Sequence, residues 1–512
     1  MILVEIDVKV RRLGGGYGLK ISRNAQIAVA AALVTYKLNR PCRFINPLVN
    51  NMKAIGKRMP CSRDFEVGVN DNGVIQYANV DLYGDHGYIV NETMLLLGID
   101  AYYNCYRKES WKCTIYNTIT DTPSNTWCRS PGSLENIAMV EILLERIAYE
   151  LNLDSLEVRL ANLDTKHHSD LIKMSDTLKS NSQYAQRKTA VDTFNKNNRW
   201  KKRGLRFALL RWAPIAFMNY EVNLSVYAGD GTIVITHGGM EMGQGVNMKA
   251  IQICAYILKV PVEKIQIKPN DTTIAPNCSV SGSSLTTPFT GIGVKKCCEE
   301  LLIRLAPIKL LMRNPTWVEL IQKAHELQVD LHVSYYTTIK DIQIYNIYGV
   351  ALAETEIDVL TGEYQLRQVD ILQDVGRSVN PELDVGQVEG GFTMALGYWT
   401  SENLVYDTNS GELLTNRTWE YWVPQSLDIP QVLNVYLQKK SYSTDLVMGA
   451  KVVGEPPTCL GVVVPLALRA AIVEARRDSG LPSTEWFPID GPYTVDKICT
   501  STATKVDQFK FY

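Results

Sequence analysis

Several features that would point to common kinds of function are missing from this sequence. None of the 11 cysteines forms a C-x-x-C pair and the 6 histidines show no ligand spacing, so we predict neither a zinc site nor an iron–sulfur cluster. The sequence contains no run of 18 apolar residues, and no membrane span is predicted. The formal net charge of -1 gives no reason to expect a nucleic-acid partner. Scattered thiols favour a reducing compartment, which predicts a cytoplasmic protein.

The length and one recurring local pattern predict the domain organisation. At 512 residues the chain is long enough for roughly two to four domains. A strand, a glycine-rich turn and a helix follow one another on both sides of a polar, charged stretch. We therefore predict a first domain at residues 1–165, a linker region at 166–203 in which helices can form, and a second domain at 204–512. Residues 3–13 alternate as a strand that needs neighbours, so we expect an upstream segment to be missing.

The first glycine-rich turn, Gly14 to Lys20, precedes a helix for which Ser22 is the predicted N-cap. A strand, turn and helix in this order present backbone N–H groups to an anion. Neither familiar nucleotide pattern fits, because Leu19 stands where both the dinucleotide fingerprint and the Walker loop require glycine. An anion site and a tight structural turn both remain open for this loop.

Four more loops are rich in glycine or hydroxyl groups. Small residues permit close approach of a ligand to the backbone, and the hydroxyl and N–H groups offer hydrogen-bond donors. Arg129 in the first of these loops is either solvated or paired with a phosphate. The loops are W-C-R-S-P-G-S at 127–133, H-G-G-M-E-M-G-Q-G at 237–245, N-C-S-V-S-G-S-S-L-T-T at 277–287, and D-V-G-Q-V-E-G-G at 384–391.

One acidic residue, Glu455, stands between a glycine and two prolines in K-V-V-G-E-P-P, residues 451–457. Proline has no backbone N–H, and an apolar run follows at once from Cys459 to Leu468. Poor local donors and apolar neighbours both raise the pKa of a carboxyl group towards the range of a general base. The alternative is a helix start with an acidic residue near its N-terminus.

Six motifs, taken in order, resemble one family. G-G-G-Y-G-x-K, R-x-P-G, H-G-G-x-E-M-G-Q-G, D-V-G-x-x-x-N-P, D-x-G-Q-V-E-G and G-E-P-P are similar to the molybdenum-binding region of the xanthine dehydrogenase/aldehyde oxidase family. The resemblance implies an N-terminally truncated α+β fold of two molybdopterin-binding modules, built from mixed sheets with packed helices. It also implies a molybdenum–molybdopterin cofactor, with FAD and [2Fe-2S] only in domains absent from this chain.

The resemblance further implies roles for individual residues. Molybdenum would be held through the pterin dithiolene and not by protein ligands. Tyr17, Arg129 and Ser283 would lie beside it through backbone groups, and Glu455 would be the general base of a hydroxylation that takes its oxygen from water. The implied cofactor-binding residues are Gly16, Tyr17, Gly18, Arg129, Gly243, Gln244, Gly245, Gly282, Ser283, Ser284 and Gln387.

The expected substrate follows from three positions where the sequence departs from purine-oxidising relatives. Ile21 and Leu97 fall where those relatives place a glutamate and an arginine, and Pro131 falls where they place a phenylalanine. Leaving the polar edge of a purine unpaired would cost about 1–3 kcal/mol per group. We therefore expect an aldehyde-oxidase-like enzyme for an apolar or aromatic aldehyde or an N-heterocycle, acting as a homodimer. The alternative is a non-catalytic or truncated relative that keeps the fold for binding or dimerisation.

Overall fold

The computed structural model describes residues 8–272, 274–439, 447–482 and 484–509. The predicted strand at residues 3–13 lies partly outside these ranges. Within them, Lys9–Val10 pairs antiparallel with Asn270–Asp271.

Strands and helices are interspersed throughout the described residues. The strands are β1 Lys9–Val10, β2 Cys61–Val69, β3 Ile75–Asp85, β4 Trp111–Thr118, β5 Lys201–Trp212, β6 Tyr220–Val226, β7 Ile233–His237, β8 Ile265–Ile267, β9 Asn270–Asp271, β10 His332–Thr337, β11 Ile347–Asp358, β12 Tyr364–Gln373 and β13 Val432–Leu437. The helices are α1 Leu19–Ser22, α2 Ala25–Leu38, α3 Leu48–Ala54, α4 Met94–Leu97, α5 Ile99–Tyr102, α6 Ser133–Glu150, α7 Ser155–Asn162, α8 Thr165–His168, α9 Asp170–Asn181, α10 Tyr184–Asn197, α11 Val246–Leu258, α12 Thr286–Leu310, α13 Trp317–Glu326, α14 Pro381–Thr400, α15 Pro456–Leu460, α16 Val463–Asp478 and α17 Val495–Ser501.

The three larger sheets each contain both parallel and antiparallel pairs. In the first half, β2 and β3 form the antiparallel hairpin that the Asn-Gly turn predicts, and β4 joins β3 in parallel. The second half contains two four-stranded sheets, ordered β10-β6-β7-β8 and β13-β12-β11-β5. The predicted α+β fold of mixed sheets with packed helices is confirmed.

The helix after Glu455 lies in the core of the second half. Residues Pro456–Asp478, which include α15 and α16, are long and apolar enough to cross a membrane, but 94% of their apolar window is buried inside the protein. This helix packs on β5, where an added Cβ on Gly204 would lie 1.9 Å from the carbonyl oxygen of Ala467. The apolar run therefore contributes to the hydrophobic core, and it fixes the position of the residue that precedes it.

The stretch predicted as a linker, residues 166–203, is largely helical. Leu171, Met174 and Leu178 of α9 are buried in the same hydrophobic cluster as residues of β5 and β11. In α10, Arg187 forms ion pairs with Glu354 at 2.9 Å and Asp370 at 2.6 Å. The stretch thus packs on the β13-β12-β11-β5 sheet, while the domain boundaries at 165 and 204 stay a prediction.

The predicted N-cap of the first long helix is wrong. α2 begins at Ala25 and its N-cap position is Asn24, without a side-chain capping bond. The hydroxyl of Ser22 donates instead to Glu92 at 2.7 Å. The other oxygen of Glu92 accepts the backbone N–H of Trp127 at 2.7 Å, so a long-range contact has replaced the local cap.

Candidate active site

Loops from both halves of the chain surround one cavity of about 860 Å³. Its wall contains the turn after β1, the loop before α6, the loops before α11 and α12, the start of α14, and the segment that leads into α15. The cavity therefore collects the glycine-rich and hydroxyl-rich loops that the sequence singled out. Its volume falls within the range of ordinary cofactor and ligand pockets.

The structure brings together almost all of the residues predicted for the site. Gly245 is the exception; it is the N-cap of α11 and does not line the cavity. The predicted residues on the cavity wall are Gly16, Tyr17, Gly18, Ile21, Leu97, Arg129, Pro131, Gly243, Gln244, Gly282, Ser283, Ser284, Gln387 and Glu455. Their roles in binding and catalysis stay a prediction.

The backbone of these loops adopts left-handed conformations that side chains usually avoid. Non-glycine residues there have positive φ, including Tyr17 at 53°, Ser130 at 67°, Ser283 at 51° and Ser284 at 54°. Such conformations cost of order 1–3 kcal/mol each and cluster at functional sites. The same strain in three separate loops around one cavity supports a binding role for that cavity.

Arg129 joins three of the loops through its side chain. Its Nε donates to the carbonyl oxygen of Gly454 at 2.6 Å, and its Nη2 donates to the carbonyl oxygen of Gln387 at 2.9 Å. The first half of the chain is thereby tied to α14 and to the residue before Glu455. Two of the three guanidinium nitrogens therefore connect the loops, and the phosphate pairing left open from sequence stays a prediction.

The backbone groups of Arg129 both have partners within the protein, and the expectation that they flank the metal stays a prediction. The N–H of Arg129 donates to the carbonyl oxygen of Tyr17 at 2.7 Å, and its own carbonyl accepts from Arg58 at 3.0 Å. Both backbone groups are therefore engaged within the protein. A sequence motif shows that an arginine is present in the loop, but these partners lie far away in the chain and appear only after folding.

Glu455 ends the segment that runs along the cavity and is the N-cap residue of α15. Ser130 contacts it twice, by its N–H to Oε1 at 3.3 Å and by its hydroxyl to the Glu455 carbonyl at 2.7 Å. Burial raises the pKa of the Glu455 carboxyl, while the Ser130 N–H and the charge of Arg129 lower it. The sequence predicts this direction of the pKa shift. The alternative prediction, a helix start at an acidic residue, also holds, because Glu455 is the N-cap residue of α15.

Gln244 uses its side chain to shape its own loop. Its Oε1 accepts the N–H of Met242 at 2.7 Å and its Nε2 donates to the carbonyl of Met240 at 2.8 Å. The carboxylate of Glu241 accepts the N–H groups of Gly243 and Gly245 at 3.0 and 3.1 Å. The loop is thus held in place by its own polar side chains.

The cavity also contains residues that sequence reasoning did not select. Lys249 on the first turn of α11 pairs with Asp384 of α14 at 2.6 Å. Asp384 lies inside one of the recognised motifs, but its partner comes from a different helix, so spacing could not reveal the pair. Phe217 extends the apolar wall, and the residues before it, A-P-I-A at 213–216, form no distinctive sequence pattern.

A molybdenum–pterin group fits the residues that are present. Among the described residues on the cavity wall there is no thiol or imidazole, which suits a metal that brings its own sulfur ligand. A Cβ added to Gly243 or Gly386 would meet no protein atom within 4 Å, so both backbones face open space on the cavity wall. The wall also offers the hydroxyl-bearing residues Ser281, Ser283, Ser284, Thr286 and Thr287.

Comparison with known proteins gives the family. Residues 3–163 and 177–430 each match a molybdopterin cofactor-binding domain. Xanthine dehydrogenase 1 of Arabidopsis thaliana is 32% identical over 526 residues, which cover 96% of this chain and 38% of the relative. Aldehyde oxidase 1 of Cavia porcellus is 33% identical over 534 residues, which cover 98% of this chain and 40% of the relative.

The chain belongs to the molybdopterin-binding region of the xanthine dehydrogenase/aldehyde oxidase family. It spans 38 to 40% of the length of these two relatives.

Solved structures show the same fold at lower sequence identity. Quinoline 2-oxidoreductase from Pseudomonas putida 86 superposes with a TM-score of 0.86 at 18% identity, over 97% of this chain and 69% of that one. Aldehyde oxidoreductase from Desulfovibrio desulfuricans ATCC 27774 gives 0.81 at 20% identity, over 98% and 55%. The predicted pair of molybdopterin-binding modules is thus confirmed as the fold of this family.

Proposed function

We propose that this chain is the molybdenum-binding catalytic part of an oxidoreductase that hydroxylates aldehydes to carboxylic acids, or N-heterocycles, with water as the oxygen source. The observation that carries the proposal is the position of Glu455. This half-buried carboxylate, whose pKa is raised by burial, lies on the same cavity as the apolar residues Ile21, Leu97 and Pro131. Family membership supports the cofactor, and the site supports the reaction class.

When bound, molybdenum–molybdopterin would supply the oxygen-transfer and electron-accepting chemistry. The residues that would hold it are those of the glycine and hydroxyl loops, with Gly243 and Gly386 allowing close approach to the backbone. Glu455 would take up a proton at its carboxylate as the general base, a role worth about 10²–10⁴-fold in rate. The N–H of Ser130 would keep enough of the carboxylate ionised to accept that proton.

The apolar wall supports an aldehyde or heterocycle over a purine as substrate. Burying a purine edge against Ile21 and Leu97 would leave polar groups unpaired, at about 1–3 kcal/mol each. An apolar tail instead gains roughly 25 cal/mol per Å² buried. The relatives include both a xanthine dehydrogenase and an aldehyde oxidase, so the choice of substrate class rests on this wall.

The substrate proposal is tested with the full-length protein by comparing kcat/KM for hypoxanthine and for a medium-chain or aromatic aldehyde. We expect the aldehyde to be faster. The double variant Ile21→Glu, Leu97→Arg restores the polar groups of purine-oxidising relatives and should shift the ratio towards hypoxanthine. A wild-type protein that turns over hypoxanthine faster per molar substrate would refute the proposal.

A second candidate is a non-catalytic family member that keeps the fold for binding or dimerisation. It is favoured by α2, which exposes Val29, Leu33, Tyr36 and Leu38 to between 60 and 65%. Metal analysis of the purified protein distinguishes the candidates, because a non-catalytic member need not contain molybdenum. A homodimer, a cytoplasmic location, and electron transfer through FAD and [2Fe-2S] groups outside this chain complete the proposal.

A further inference from the structure

A second arginine, Arg58, lies behind the loop that carries Arg129. Its Nη1 donates to the carbonyl of Cys128 at 2.8 Å, and its Nη2 donates to the carbonyl of Arg129 at 3.0 Å. The side chain is 10% exposed and does not line the cavity. Arg58 therefore touches the loop from the side that faces away from any ligand.

Arg58 is itself held by two elements. Its Nη1 lies 3.4 Å from Oε1 of Glu135 at the start of α6, a carboxylate that is 1% exposed. Its guanidinium carbon lies 5.3 Å from the ring centroid of Tyr398, which belongs to α14. A buried, planar fork that reaches two adjacent carbonyls fixes those peptides more rigidly than a single donor does.

The loop that the two arginines hold also contacts the proposed base, Glu455. Arg58 holds the carbonyls of residues 128 and 129 from behind, and the Arg129 side chain holds Gly454 and Gln387 in front. The next residue, Ser130, has a φ of 67° and directs its N–H to Oε1 of Glu455. The contacts from Arg58 are among those that oppose relaxation of this strained peptide.

We infer that Arg58 is a positioning residue for Glu455: with Arg129 it clamps the loop 127–132, so that the Ser130 N–H stays on the carboxylate. The inference rests on the proposed function, because positioning of the Glu455 carboxylate matters for catalysis only if Glu455 is the general base. Arg58 acts through the loop and touches neither cofactor nor substrate.

Removal of Arg58 should raise the pKa of Glu455 further. Burial already raises it, and among the opposing influences are the Ser130 N–H, Arg129, Ser284 and the charge of Arg58. The neighbouring thiol of Cys459 stays neutral, since burial raises its pKa to about 12. Arg58→Gln removes a charge and loosens the hydrogen bond from Ser130, and both changes disfavour the ionised carboxylate.

The test follows the protonation of Glu455 directly. It uses the cofactor-free chain, labelled with ¹³C-glutamate. The infrared carboxylate band that disappears in Glu455→Gln identifies the residue. We expect Arg58→Gln to move its titration midpoint upward by about one pH unit. In the full-length enzyme the acid limb of kcat/KM should move by the same amount, so the rate below that limb falls about tenfold.

Two variants serve as controls. Arg63→Gln removes another partly buried arginine, one that donates to the carbonyl of Met139, and should leave the Glu455 band in place. Arg58→Lys keeps the charge but loses the fork, and should give a smaller upward shift; it replaces Arg58→Gln if that variant does not fold. An unchanged midpoint in folded Arg58 variants would overturn the inference. A shifted midpoint in a protein without aldehyde turnover would instead leave the clamp standing and reject the proposed function.

Discussion

The backbone N–H of Ser130 lies 3.3 Å from Oε1 of Glu455, although 325 residues separate the two in sequence. This contact joins the loop before α6 to the segment before α15, and thereby the two halves of the chain. It gives the half-buried carboxylate a hydrogen-bond donor that favours the ionised form, against the burial that disfavours it.

The first prediction concerns stability against pH. Burial raises the pKa of Glu455 in the folded protein above its unfolded value, so the stabilisation it allows is present at low pH and is lost as pH rises through the folded pKa. Glu455→Gln should therefore melt at a higher temperature than wild type at pH 8, with the difference closing near pH 4. Each unit of pKa shift corresponds to about 1.4 kcal/mol. Equal melting temperatures of the two proteins across this pH range would show that burial of the ionised carboxylate does not destabilise the fold.

The second prediction separates folding from cofactor binding. Gly386 lies in α14, and a Cβ added to it would meet no protein atom within 4 Å. Alanine in the interior of a helix is more stable than glycine by roughly 0.5–1 kcal/mol. Gly386→Ala should thus stabilise the cofactor-free chain while lowering the molybdenum content of the purified protein. Gly229→Ala is the control for purification, since an added Cβ on that glycine also meets no atom within 4 Å, its φ is not left-handed, and it lies away from the cavity. Undiminished molybdenum in Gly386→Ala would place the cofactor elsewhere.

The third prediction concerns the side chain of Arg129. Arg129→Met removes the donors to the carbonyls of Gly454 and Gln387. Leaving two such acceptors unpaired should lower the free energy of unfolding by about 2–5 kcal/mol. Arg367→Met, which removes a half-exposed arginine 3.5 Å from Glu356, should cost less than about 1 kcal/mol in the same denaturant titration. Comparable losses in both variants would show that Arg129 is not a connection between loops.

Local patterns predicted the fold and most of the residues that line the cavity, but not the hydrogen bonds that connect the loops around it. The Asn-Gly hairpin and the helices after each glycine turn depend on adjacent residues, and they form where expected. Ser22 shows the limit: its sequence context suits an N-cap, but Glu92 offers it a buried partner 70 residues away. The backbone groups of Arg129 show the same limit, because Tyr17 and Arg58 use them from distant parts of the chain.

The central claim is that Glu455 is the general base of an aldehyde-oxidising molybdenum enzyme. Its most direct test is the turnover of an aromatic aldehyde by the full-length Glu455→Gln protein at molybdenum content matched to wild type. Glu402→Gln is the control, because burial also raises the pKa of the Glu402 carboxyl and this residue does not line the cavity. We predict that Glu455→Gln loses at least about 10²-fold in rate while Glu402→Gln keeps its rate. A Glu455→Gln protein that retains more than about a tenth of wild-type turnover would contradict the claim.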